Sequence, residues 1–188
     1  MGPALYLVGT PIGNLEDITL RALRVLKEVD VIACEDTRQT QKLLNHFAIT
    51  TRTTSYHEHN EMTKSAELVK EMQEGASVAL VTDAGMPGIS DPGYRLITLA
   101  IRHQVPVVPV PGASAFLSAL VASGLPTDSF ASAGFCQRSV ASGERRWKGS
   151  RVLRGRRCFM RLRTGLWRHW RMWRKCWVLV GMSLSRGK

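Results

Sequence analysis

Apolar runs of four to six residues alternate along most of this chain with stretches whose apolar positions recur every three or four residues. Leu5-Tyr6-Leu7-Val8 reads as a buried strand and ends in the loop Gly9-Thr10-Pro11-Ile12-Gly13-Asn14-Leu15. Asp17 is placed to cap a helix carrying Ile18, Leu20, Leu23, Val25 and Leu26. Val29 to Ala33 predicts a second strand, leading through Cys34-Glu35-Asp36-Thr37-Arg38 into a helix with Leu43 and Leu44. Thr50 to Tyr56 is β-rich, and His57-Glu58-His59-Asn60 separates it from a helix carrying Met62, Ala66, Leu68, Val69 and Met72. The run Val78 to Val81 opens onto TDAGMPGISDPG (Thr82–Gly93), after which Tyr94 to Ala100 has a helical pattern. Val105 to Val110 is a strand interrupted by prolines, and Pro111 to Ala115 leads into a helix with Phe116, Leu117, Leu120 and Val121. Strands alternating with helices predict an α/β fold: a mainly parallel sheet with helices on both faces.

In such a fold the loops after the strands converge on one rim, where open α/β sheets bind ligands. Those loops are Gly9–Leu15, Glu35–Arg38, His57–Asn60, Thr82–Gly93 and Pro111–Ser114. The central one holds three glycines and two prolines, which suits close backbone approach to a ligand in a fixed loop. Asp83 and Asp91 add acceptors there, and either is a candidate helix cap. No loop is GxxxxGK or GxGxxG, so the common phosphate cradles are excluded. No GxSxG elbow supports covalent catalysis. His57 and His59, two apart with no placed third ligand, do not make a metal site, and none is expected. Glu35-Asp36 offers a general base or, equally, a cap for the helix that follows.

Composition changes the picture only once the chain is divided. Across 188 residues the net charge is +11, with 44% hydrophobic residues, enough for a packed core. Residues 1–135 hold ten Lys/Arg against fourteen Asp/Glu, whereas residues 136–188 hold sixteen against the single acid Glu144. All five tryptophans also lie in the second part. Four scattered cysteines without a CxxC pair are read as free thiols of a cytoplasmic protein. No apolar stretch is long enough to span a membrane and no signal peptide is recognised, so no membrane partner is expected.

Four loops taken together carry a resemblance. GTPIGNLEDIT (Gly9–Thr19), EDTR (Glu35–Arg38), TDAGMPGISDPG and PGASA (Pro111–Ala115) resemble the tetrapyrrole-methylase-fold methyltransferases, and the likeness runs from about Leu5 to Phe135. Within that fold they are most similar to the members that use S-adenosylmethionine to methylate the ribose 2′-hydroxyl of a cytidine at the decoding site of 16S rRNA. Departures are Cys34 before EDTR, Thr82 opening the central loop, and Met86 where the family usually has threonine. The resemblance implies S-adenosyl-L-methionine held against Pro11, Asp83, Ala84, Gly85, Met86, Ile89, Ser90, Pro111, Gly112, Ala113 and Ser114. It implies 16S rRNA in the small ribosomal subunit as partner, with a homodimer left open. Removing the proton of a ribose hydroxyl calls for a carboxylate or histidine, and Asp36, Asp83 and His57 are the candidates by rim position. A tetrapyrrole-precursor methyltransferase of the same fold is the sibling alternative, although GTPIGNLEDIT and EDTR argue against it.

From Cys136 onward the apolar periodicity fails. Taken literally, the Arg- and Trp-rich tail suits a non-catalytic RNA-binding protein, with cations for phosphates and aromatics for bases, or a basic amphipathic membrane helix. A reading-frame shift accounts for it better. Phe135-Cys136-Gln137-Arg138 written TTC TGC CAG CGA and read two bases later gives LPA, as the family's second domain should begin. In the same frame Cys158 to Thr164 gives FYEAPH, another family segment, and the single codons of Met and Trp leave little freedom. The expected organisation is therefore an α/β methyltransferase domain over 1–127, the start of a second domain over 128–135, and a poorly ordered out-of-frame tail over 136–188. In the family the cofactor lies in a cleft between two domains, so the chain as translated is expected to be inactive.

Overall fold

The short apolar runs become strands because both faces of each are covered, and their residues alternate between two cores. In the computed structural model the elements run β1 (Leu5–Val8), α1 (Leu20–Glu28), β2 (Val31–Cys34), α2 (Thr37–His46), β3 (Thr53–Ser55), α3 (Glu61–Gln73), β4 (Val78–Val81), α4 (Tyr94–Arg102) and β5 (Val107–Val110). The five strands form one parallel sheet in the order β3-β2-β4-β1-β5. Residues 1–89, 91–125, 127, 128, 130–135, 156–160 and 178–181 are described, in two units, 1–114 and 115–188. The sheet belongs to the first unit. The sequence boundaries at 127 and 135 both fall in the second.

On one face Val31, Ala33, Val78 and Leu80 pack with Leu68, Val69 and Met72 of α3 and Leu96 and Ala100 of α4. On the other Ile32, Cys34, Ala79 and Val81 pack with Ala22, Val25 and Leu26 of α1 and Leu44 of α2. Each fully buried leucine here contributes roughly 1.5–3 kcal/mol by leaving water. Helices therefore cover both faces, as the alternation of apolar runs predicts. Tyr56 is the largest fully buried side chain, and its hydroxyl meets Ser65 Oγ at 3.0 Å and accepts from the Leu96 amide at 3.2 Å. That single oxygen ties the end of β3 to α3 and α4.

Several boundaries differ from expectation. Asp17 does not cap α1. It closes a short 3-10 turn, Leu15–Asp17, capped by Asn14, while Thr19 Oγ1 accepts from the Ala22 amide at 3.0 Å as the true cap. With α1 starting at Leu20, its buried stripe runs through Ala22, Val25, Leu26 and on to Val29, and Leu20 is 86% exposed. Met62 and Ala66 likewise lie on the outer side of α3. Neither Asp83 nor Asp91 caps a helix, because Gly93 precedes α4 without a side-chain cap. The β-rich stretch from Thr50 yields only three strand residues. In β5, Pro109 is in register with Leu7. The carbonyls that accept from β1 belong to Pro106 and Val110, so the Pro109 nitrogen faces the open side.

The second unit contains α5 (Ala115–Ala122) and the strands β6 (Phe130–Phe135), β7 (Arg156–Met160) and β8 (Val178–Gly181). β6 pairs with β7 in parallel, and β7 with β8 antiparallel. The Phe116 and Phe130 rings meet at 6.3 Å between centroids. The expectation of a poorly ordered tail falls for most of its length outside the described residues. Among those described, no helix is long and apolar enough to cross a membrane.

Candidate functional site

β1 and β4 lie side by side, yet the helices that follow them, α1 and α4, pack on opposite faces. Loops that part in this way leave a crevice at the strand ends. The two loops stay joined there: the Thr10 amide donates to the Gly85 carbonyl at 3.0 Å and the Gly85 amide returns to the Thr10 carbonyl at 3.1 Å. Thr10 Oγ1, 3% exposed, donates to the Thr82 carbonyl at 3.0 Å. Gly85 adopts φ +93°, a conformation that glycine reaches without strain.

The β5 loop closes on the same point. A Cβ added to Gly9 would stand 2.7 Å from Gly112 Cα and 2.8 Å from Met86 Sδ, and one added to Gly112 would stand 2.8 Å from Gly9 Cα. Two backbones are thus in direct contact. From Gly85 the same construction meets Ala113 O at 3.7 Å. Gly9, Gly85 and Gly112 therefore draw the three loops into one cradle of main-chain atoms with Met86 beside it.

The residues expected to hold the cofactor distribute around this cradle. Pro11 and Gly85 are buried, Met86, Gly112, Ala113 and Ser114 are half-buried, and Asp83, Ala84 and Pro111 are exposed. Ile89 is 53% exposed. Ser90 lies outside the described residues.

A second feature, five carboxylates at the ends of β2, β3 and β4, is only partly legible from sequence. Burial pushes the Glu35 carboxyl above its ordinary value, and the neighbouring charges of Asp83, Asp91, Glu58 and Asp36 push it further. Asp83, exposed as a residue, still loses part of its carboxyl's water to the surrounding loops, which raises it; the Asp36 amide partly offsets this and the Asp36 charge reinforces it. Asp91 is raised mainly by burial. The Thr82 hydroxyl, on a residue 4% exposed, has no partner at hydrogen-bonding distance among the described residues, although it lies close enough to Asp91 to favour that carboxylate. Asp36 differs: hydrogen bonds from Arg38 hold its carboxyl below the usual range. Its Oδ1 accepts from the Arg38 amide at 2.9 Å, so it serves as the cap of α2.

The structure therefore brings Asp36 and Asp83 together. His57 sits in the adjacent loop, where its amide donates to Asn60 Oδ1 at 2.9 Å and its ring meets His59 edge-on at 5.9 Å. Its Nδ1 is buried without a hydrogen-bond partner among the described residues. Among the described residues no contact joins it to Asp36 or Asp83. Gly9 and Thr10 belong to a loop that the sequence places at the rim, yet they are not among its candidate site residues, since nothing in their spacing separates a loop that grips its neighbours from an ordinary turn.

A five-stranded parallel sheet with glycine loops gathered at its rim defines a class of ligand-binding α/β protein. The model of the tetrapyrrole (corrin/porphyrin) methylases matches residues 4–161, and the chain belongs to that family. Ribosomal RNA small subunit methyltransferase I of Halalkalibacterium halodurans is 61% identical over 134 residues, covering 71% of this chain and 46% of that protein. The protein of the same name from Mesorhizobium japonicum is 59% identical over 133 residues, covering 71% and 45%. The chain thus spans about half the length of these curated relatives. Among solved structures, diphthine synthase shares the fold with a TM-score of 0.65 at 19% identity, over 85% of this chain and 64% of that one. Uroporphyrin-III-C-methyltransferase from Thermus thermophilus does so with a TM-score of 0.59 at 23% identity, over 85% and 68%.

Proposed function

We propose that this chain carries the cofactor-binding half of an S-adenosylmethionine-dependent methyltransferase that 2′-O-methylates a cytidine ribose in the decoding region of 16S rRNA. The observation that supports this most is the joining of the Gly9, Thr82–Gly93 and Pro111–Ser114 loops in one cradle, in a chain 61% identical over 134 residues to a protein named for small-subunit rRNA. The reaction would take place on ribosomal subunits in the cytoplasm, with a second copy of the chain as a further candidate partner.

The residues present fit the cofactor. Its sulfonium and ammonium groups are cations, and the rim offers Glu35, Asp83 and Asp91, whose carboxyls burial and mutual repulsion have raised. Close packing at Gly9 and Gly112, with the pair of hydrogen bonds between Thr10 and Gly85, fixes the shape of the loops around the crevice, and the Thr82 hydroxyl, unpartnered among the described residues, adds a donor. Pro11, Asp83–Met86, Ile89, Ser90 and Pro111–Ser114 are the residues assigned to hold it. When bound, it supplies a methyl carbon activated by the positive sulfur.

The chain's part is to align a ribose hydroxyl and take its proton. Asp83 suits that task best, because its raised carboxyl lies nearer the working pH than that of Asp36. Asp36 is occupied by Arg38 and by capping α2. His57, with a buried unpartnered Nδ1, is the remaining candidate.

The codon pattern supports a further reading: residues 136–188 are out of frame, and the chain as translated is inactive. Resequencing the gene across Phe135 tests this directly, since a coding strand without LPA and FYEAPH in its second frame overturns it. For the function, the in-frame protein is titrated with S-adenosylmethionine by calorimetry, then incubated with tritiated cofactor and small subunits lacking the modification. Label mapped to a decoding-region cytidine ribose is expected. Absence of binding heat, or label on a base, refutes the assignment.

A further inference from the structure

The two helical faces of the sheet carry charge differently. α1 and α2 together hold five cations, Arg21, Arg24, Lys27, Arg38 and Lys42, against one acid, Glu28. α3 and α4 hold four cations against three acids. On that second face Lys64 pairs with Glu67 at 2.8 Å, Lys70 with Glu74 at 3.7 Å and Arg95 with Glu61 at 3.6 Å. On the first face only Arg38 has an ion-pair partner among the described residues. Glu16 and Asp17, just before α1, make no ion pair with its cations.

One of them, Arg21, also sits where helix electrostatics disfavours a cation. Both helices start at the rim, and neither has an acid in its first turn. Arg21 and Arg38 are the second residues of their helices, at the positive end of the macrodipole; the capping Asp36 compensates Arg38 there, whereas Arg21 has no ion-pair partner among the described residues. A cation left uncompensated at the rim end of this face, beside others without ion-pair partners, is the pattern expected where a surface serves a partner rather than the fold. Beside α2 a shallow, open depression is lined by Thr37, Arg38, Gln41, Lys42, Asn45 and Thr53, all polar. Only two of the five Arg38 N–H groups serve Asp36, which leaves the others free.

We infer that the α1/α2 face is the track along which the RNA sugar-phosphate backbone lies, with a phosphate in the open depression between Arg38 and Lys42. This rests on the RNA-substrate reading above. The carboxylates at the rim would repel a polyanion, so the strand is held from the cationic side and the acidic cluster is left to the reacting ribose and the cofactor. Base sequence is not read here, since side chains of this kind position a strand without specifying it.

The full chain is acetylated at lysine, with and without a decoding-region RNA hairpin, and the sites are quantified by mass spectrometry. This comparison is internal, so cations elsewhere in the chain do not confuse it. Lys27 and Lys42 are expected to be protected several-fold, and Lys70 on the opposite face to be unchanged. Equal reactivity of Lys42 with and without RNA overturns the inference. Arg24→Glu with Lys42→Glu is then compared with Lys70→Glu with Arg102→Glu, which alters the net charge identically. Losing two phosphate contacts lowers the slope of log affinity against log salt by roughly 1.5, for the first pair only. Equal effects from the two pairs overturn the inference. If Lys42 is protected by RNA but the in-frame protein gives no binding heat with S-adenosylmethionine, the track stands and the methyltransferase reading fails, so the two failures are distinguishable.

Discussion

Replacing Gly9 by alanine strikes the cradle at its narrowest point. The new Cβ would lie 2.7 Å from Gly112 Cα, 2.8 Å from Met86 Sδ and 2.9 Å from Gly112 N, against 3.4–4 Å for ordinary contact. Met86 has a flexible end and can turn away, but two of the three atoms are backbone. Gly9 cannot retreat freely either, because its amide donates to the Val110 carbonyl at 3.1 Å. The loops after β1 and β5 must therefore part. Overpacking costs typically 1–3 kcal/mol, and a clash with main chain belongs at the upper end. At roughly 2–4 °C per kcal/mol for a chain of this size, ~3 kcal/mol lowers the melting point by about 6–12 °C. Far-UV circular dichroism follows the helices that lie on the sheet. Gly2→Ala, which meets nothing within 4 Å, is the control and should melt as the wild type does. Gly112→Ala should cost a similar amount, and the double variant less than the sum, since one parting of the loops relieves both clashes. A Gly9→Ala protein melting within about 1 °C of the wild type would refute the reasoning.

Thr10→Val removes the hydroxyl donor to the Thr82 carbonyl and should cost about 1–3 kcal/mol, read as a lower urea midpoint with an unchanged slope. Tyr56→Phe leaves the Leu96 amide and Ser65 without their shared partner, and a similar loss is expected. Faster hydrogen exchange in α3 and α4 than in α1 would accompany it, and uniform exchange would count against it. Glu35→Gln should raise the melting point at pH 7.5. The folded-state pKa of Glu35 lies above its ordinary 4.5, so its ionised form burdens the fold above that raised value. As pH falls through the raised pKa the wild type protonates, the burden lifts, and the advantage of the variant should vanish below 4.5. An advantage that persists in acid would contradict the origin assigned to it.

The order of elements was legible because each apolar run is flanked by loop residues and each helix repeats at three and four. The rim followed from that order alone. The start of α1 was not, because Asp17 and Thr19 are both good caps two residues apart, and the choice fell to the helix that buries Ala22, Val25 and Leu26 together. Leu20 lost its expected place for the same reason. At the site, the glycines of the central loop could be singled out from their number. The contact between Gly9 and Gly112 could not, since it joins residues a hundred positions apart through the register of β1 on β5. Asp36 was read as either base or cap, and the structure supplies the cap.

Pro109 has a consequence for how this sheet can grow. Along β5 the amides that point away from β1 alternate with those that point towards it, so an incoming strand would meet Val107 and then a proline with nothing to donate. β3 has no proline among Thr53, Thr54 and Ser55 and keeps its outward amides. Any extension by another polypeptide is thereby steered to the threonine-rich margin and turned away from the one beside β1.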